Sequence, residues 1–134
     1  IPIAIGNINS GNHNDLYQVV PQLSAMIKDL KRKDIYLENS VLNADKGFDS
    51  KLLRRYCHSK HMIPNIKENA RGRIKTKRGR KRKFYEHLYQ RRFVNERTFA
   101  WIDSFRTLLI RFDRTVNAWL NWHYLAFSLI LLKV

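Results

Sequence analysis

The sequence predicts an α/β fold in which short strands and helices alternate, followed by a helical C-terminal part. Two observations carry this. Short apolar runs of strand length stand at 1–5, 35–37, 40–44 and 61–66, separated by turn-forming residues. Between and after them, apolar residues recur at the spacing of one helix face. Alternation of that kind places helices on the faces of a sheet.

IPIAI opens the chain with alternating bulk, as a strand does. GNINSGNHND follows as a loop, because Gly, Asn and Ser tolerate turn conformations. Asn12 or Asn14 can cap the next helix, and Asp15 suits its first turn. That helix is expected over about 15–33, from Leu16, Val19, Val20, Leu23, Met26, Ile27 and Leu30. Pro21 lies inside the pattern, so the helix either begins near it or bends there. Runs 35–37 and 40–44 lead into NADKGFDS, and Asp49-Ser50 suits the cap of a helix over about 50–60. HMIPNI, residues 61–66, is the next strand, and Pro64 suggests an edge. Residues 67–83 show no apolar period and read as a loop. From Phe84 the spacing is helical to about Phe112, and a last helix is expected over about 114–132. No internal repeat is present.

The chain has 134 residues, 44% of them apolar and 12% aromatic, which suits one globular domain with a core. Its single cysteine, Cys57, cannot form an internal disulfide, which fits a reducing compartment such as the cytoplasm. The first residue is Ile1, and no signal-peptide pattern follows, so the chain reads as a piece of something longer. The run 116–132 is rich in Leu, Trp and Phe but is interrupted by Asn117, Asn121, His123 and Ser128. It is short of a membrane span of ~20 residues, and a buried helix is the expectation. The net charge is +15, divided as +3 over residues 1–66 and +12 over residues 67–134. Ten of the seventeen residues from 67 to 83 are Lys or Arg. A field of that sign and density favours a polyanion, here nucleic acid.

Two constellations carry chemistry. Asp45 stands where the strand at 40–44 ends and a helix is about to begin, the sheet edge at which ligand sites gather. The bland alternative is an aspartate capping the Lys46-Gly47 turn. Tyr89, Arg92, Glu96 and Asp103 are spaced three, four and seven apart. On one helix they share a stripe roughly 60° wide, with Val94, Thr98, Trp101, Phe105 and Leu108 on the opposite, apolar side. The bland alternative here is a solvated face with an Arg92–Glu96 pair worth ~0.3 kcal/mol. Cys57, His58 and His61 do not make a closed zinc set. Trp101, Trp119 and Trp122 read as packing residues.

NADKGFDS followed by YQRRFVNERTFAWIDSFRTLLIRFDR resembles the second half of bacterial insertion-sequence DDE transposases. In that family the second catalytic Asp lies in an A-D-K/R-G/A-Y/F-D-S segment, matched here by Asp45. The last acid lies in a Tyr-x2-Arg-x3-Glu-x6-Lys signature, matched by Tyr89, Arg92 and Glu96. Asp103 stands where the family has Lys, which puts one contact to terminal DNA in doubt; Arg97 or Arg106 are possible substitutes. The opening 1–15 is similar to the family's strand and Asn/His/Asp loop, so the resemblance spans nearly the whole chain. It implies a partial ribonuclease-H-like domain over 1–134: sheet and helices in 1–66, a basic loop in 67–83, and C-terminal helices in 84–134. It implies Asp45 and Glu96 as catalytic, metal-binding residues, and Tyr89 and Arg92 on DNA beside Arg78, Arg80, Lys81 and Arg82 of the basic loop. The family's first catalytic Asp lies on a strand upstream of Ile1, and Asp15 does not replace it.

The chemistry implied is in-line attack on a phosphodiester, with two Mg²⁺ ions ~3.5–4 Å apart clamping the attacking and leaving oxygens. Without the first Asp this chain is expected to bind metal weakly and not to cut DNA. Terminal inverted repeats and target DNA are the expected partners, with a homodimer or the upstream half of a split transposase as possible protein partners, in the bacterial cytoplasm near the nucleoid and with no membrane. The competing class is a non-catalytic basic nucleic-acid-binding protein: an inactive transposase remnant, or a ribosomal or nucleoid-type protein indifferent to acids at 45 and 96.

Overall fold

The computed structural model describes residues 2–70, 79 and 82–132. It is mixed α/β, about half helical, with one small sheet. Contacts divide the chain into two compact units, residues 11–92 and residues 1–10 with 93–134.

The first unit is built on a β-α-β crossover. Helix α1 (Val19–Lys31) is followed by strand β1 (Val41–Ala44), a 3₁₀ turn (Lys46–Phe48), helix α2 (Lys51–Ser59) and strand β2 (Ile63–Ile66). The strands pair in parallel, with Val41 opposite Ile63, Leu42 opposite Pro64, Asn43 opposite Asn65 and Ala44 opposite Ile66. Pro64 fits because each strand of a two-stranded sheet is an edge. Leu53, Cys57, Met62 and Ile66 form the core, and Val19, Val20, Leu23 and Ile27 of α1 pack against it with Leu42 and Phe48. Helix α3 (Glu86–Gln90) closes this unit against β1.

The helix boundaries have local causes. Helix α1 starts four residues later than about 15, because Asn14 bends the chain first. Its Oδ1 accepts from Leu16 N at 3.1 Å and its carbonyl from Tyr17 N at 2.9 Å. Pro21 thus falls in the first turn, where a missing N–H costs nothing. The end of α1 is a Schellman motif: Ile35 N donates to Leu30 O at 3.0 Å, with Asp34 left-handed at φ 59°. That motif turns the chain into 35–37, where no regular element forms before β1. Helix α2 is capped by Ser50, whose Oγ accepts from Leu53 N at 3.1 Å, as its sequence position predicts.

The second unit holds α4 (Phe93–Asp103), α5 (Arg106–Leu109) and α6 (Val116–Leu132). The expected opening strand is not formed: residues 2–10 have no regular element. Alternating bulk makes a strand only where a partner supplies the ladder, and among the described residues the ladder joins β1 and β2 alone. On α4 and α5 the apolar stripe holds. Val94, Thr98, Trp101 and Phe105 are half-buried and Leu108 is buried, while their neighbours other than the half-buried Ile102 face solvent. Helix α6 buries Ala126 and Ile130 but leaves Trp122, Leu125, Leu129 and Leu131 exposed, so it is less buried than its composition implies. No helix among the described residues is long and apolar enough to cross a membrane.

The single helix expected from Phe84 to about Phe112 is three pieces. The first break follows α3. Arg91 N reaches Leu88 O at 3.3 Å and Arg92 N reaches Tyr89 O at 3.0 Å, both tight three-residue closures. Leu88 O, which a continuing helix would give to Arg92 N, also accepts from Asn43 Nδ2 at 3.0 Å.

Candidate functional site

The site is assembled within residues 11–92 at the carboxyl ends of β1 and β2. Asp45 and Lys67 are the residues directly after the two paired strands. Asp45 begins the 3₁₀ turn with extended backbone, and its carbonyl accepts from Phe48 N at 2.9 Å. Its carboxylate makes no capping bond to that turn. The bland reading of Asp45 as a turn cap therefore does not describe what its side chain does.

The Asp45 carboxylate instead faces the last turn of α3 and the residues just after it. Tyr89 donates its hydroxyl to Asp45 Oδ1 at 3.2 Å, and the Arg92 guanidinium forms an ion pair with the same oxygen. Arg92 also lies over the Tyr89 ring, 5.6 Å from its centroid, so the three groups form one cluster. Asp45 remains 51% exposed, which limits the pair's contribution to stability to ~1 kcal/mol or less. Its place is a cleft of about 420 Å³ lined by Asp15, Asp45, Lys46, Gly47, Lys67, Asn69, Tyr89 and Arg92. Asp15 crowds the turn: a Cβ on Gly47 would stand 2.7 Å from Asp15 Oδ2. The cleft thus combines two carboxylates with two lysines and an arginine. Such a rim can hold a phosphate through its cations beside a hard-oxygen ligand.

A pair of asparagines holds α3 at this edge. Asn65 is fully buried and opposite Asn43 in the register. Its Nδ2 donates to Asn43 Oδ1 at 2.7 Å and to Tyr85 O at 3.0 Å, and its Oδ1 accepts from Tyr85 N at 2.8 Å. Tyr85 needs an acceptor for its N–H and supplies a carbonyl, so the amide orientation follows from the network. These bonds fix residues 85–88 and, through them, Tyr89 and Arg92. Sequence reading passed over both asparagines; the only signal was a polar residue in each of two apolar strands.

The other expected site residues are distributed differently. Glu96 lies in the first turn of α4, exposed, and Asp103 ends that helix. Both belong to the second unit. Tyr89 and Arg92 therefore do not share a helix with Glu96 and Asp103. Arg82 donates to Asp49 Oδ1 at 2.8 Å. Arg78, Arg80 and Lys81 lie outside the described residues. Cys57 is fully buried, and burial raises its thiol pKa. No group of three or more His, Cys, Asp or Glu side chains that could hold a metal ion is present among the described residues.

Comparison with known proteins covers most of the chain. The Transposase DDE domain family matches residues 7–131. "Putative transposase for insertion sequence element IS402" of Burkholderia cepacia is 32% identical over 112 residues, which is 82% of this chain and 47% of that protein. The chain thus spans about half the length of this curated relative. No solved structure gives a significant match.

Proposed function

The chain belongs to the insertion-sequence DDE transposase family, and on that premise we propose that it is the later part of a ribonuclease-H-like transposase domain that binds DNA for transposition. The observation that carries this is the Asp45 cluster: a carboxylate at a strand end, uncommitted to its own turn, facing Tyr89 and Arg92 in an open cationic cleft. Asp45 and Glu96 are the proposed catalytic pair, with Tyr89 and Arg92 positioning Asp45 and meeting the DNA backbone. The basic segment 67–83 tracks phosphates without reading bases. Insertion-sequence ends and target DNA are the proposed partners, beside a second copy or an upstream half.

Family members work with divalent metal, and Mg²⁺ takes hard oxygen ligands of the kind Asp45 and Glu96 provide. The described residues do not complete such a site, because no three ligand side chains converge and Arg92 occupies Asp45 Oδ1. We therefore draw no step through metal on this chain alone. What its own residues do is bind the polyanion, orient Asp45 and present cations to a phosphodiester. Cleavage is assigned to the assembly that adds the family's first Asp.

One titration tests this. Residues 1–134 are mixed with a labelled duplex carrying an insertion-sequence end, with and without Mg²⁺, and binding and nicking are read together. Binding is expected to fall linearly on a log–log plot as salt rises, by a slope of ~0.9 per phosphate contact. Asp45→Asn should leave binding intact, and no nicking is expected. Absent or salt-independent binding overturns the DNA assignment. Nicking by the chain alone, lost in Asp45→Asn, overturns the assignment of cleavage to a larger assembly.

A further inference from the structure

The basic segment has a second carboxylate at its root. Asp49 is 6% exposed and lies at the start of α2. Its Oδ1 accepts from Arg54 Nε at 2.8 Å, and Arg54 in turn donates to Ile66 O at 2.7 Å and Pro64 O at 3.4 Å. The buried pair is thereby bolted to β2. The same carboxylate reaches both ends of the basic segment: Oδ2 accepts from Asn69 N at 2.9 Å, and Oδ1 accepts from Arg82 Nη1 at 2.8 Å. Between those two residues, positions 70–81 carry seven Lys or Arg. Of the four residues of the basic segment expected on DNA, Arg82 is the one whose place is described, and it is engaged with a carboxylate.

We propose that Asp49 ties both roots of the basic segment to the sheet, and that Arg82 serves as an anchor of that segment and not as one of its phosphate contacts. A guanidinium bound to a phosphate must leave Asp49. Asp49, whose carboxylate is 6% exposed, would then lose one of its charge-assisted bonds. An arginine that holds no carboxylate pays no such cost and is the better phosphate ligand. Holding residues 69 and 82 at one point also lowers the entropy that the cations between them lose on binding. Asn69 lines the Asp45 cleft, so the tie fixes this root of the segment beside Asp45. This assignment rests on the reading that residues 67–83 bind DNA.

The test compares Arg82→Gln with Arg80→Gln in residues 1–134, using a short fluorescein-labelled duplex across a salt series. Arg80→Gln should lower the log–log slope by ~0.9, as a lost phosphate contact does. Arg82→Gln should leave the slope unchanged and shift the line in parallel, weakening binding by about two- to tenfold at every salt concentration through lost pre-organisation. A slope loss of ~0.9 in Arg82→Gln makes it a phosphate contact and overturns the proposal. A readout without DNA separates this from the DNA reading itself. The Arg82 guanidinium N–H signals should exchange slowly in the free protein, and Asp49→Asn should make them exchange like those of an exposed arginine. Fast exchange in the unsubstituted chain overturns the anchor even where DNA binds. Slow exchange lost in Asp49→Asn upholds it even where DNA does not bind.

Discussion

Asn65→Ala removes the centre of the network that holds α3 on the sheet. The side chain is fully buried and makes three hydrogen bonds. Tyr85 O keeps a partner, because it also accepts from Tyr89 N at 3.0 Å. Two groups are orphaned: Tyr85 N–H and Asn43 Oδ1. Each orphaned buried group costs ~1–3 kcal/mol, and both residues here are only half-buried, so ~1–1.5 kcal/mol each is reasonable. Lost packing of the side chain brings the total to about 3 kcal/mol. With a urea dependence of ~2 kcal/mol per molar, the unfolding midpoint should fall by about 1.5 M. Asn65→Asp sharpens the test. The introduced carboxylate still accepts from Tyr85 N but sets a negative oxygen against Asn43 Oδ1 and Tyr85 O. It should destabilise at neutral pH and recover part of the loss in acid, where the protonated carboxyl donates again. Urea titrations followed by circular dichroism measure both. An Asn65→Ala chain within ~0.5 kcal/mol of the original would refute the view that this pair organises the edge.

Two further outcomes are expected. Ser50→Ala should cost ~1 kcal/mol in a urea titration, and Ser50→Gly only a few tenths, because the lost bond is the N-cap of α2. Burial raises the pKa of Asp49, but the Asn69 N–H, the Arg54 bond and the Arg54 and Arg82 charges together lower it below the ordinary carboxylate value. Its contribution to stability should therefore be complete above pH ~4 and be lost as pH falls through the lower folded value. Asp49→Asn should flatten that acid limb in urea midpoints taken at successive pH values.

Sequence alone determined the elements whose signals are local. The cap at Ser50, the helix over residues 51–59, the strand before Asp45 and the apolar stripe from Val94 to Leu108 depend on spacing and nearby hydrogen bonds, which neighbouring residues supply. The ADKGFDS and Tyr-x2-Arg-x3-Glu motifs were legible for the same reason, and they sufficed to indicate the family. Tertiary structure decided matters in which a group is claimed from far along the chain. The opening alternation yields no strand because a ladder needs a partner. The helix from Phe84 breaks after Gln90, where Arg92 N turns to Tyr89 O and Asn43, 45 residues away, donates to the Leu88 carbonyl. Asp49, which reads locally as a helix cap, is held instead by Arg54, Asn69 and Arg82. A buried carboxylate or amide takes the strongest donors that the fold brings within reach, and sequence spacing does not record which those are.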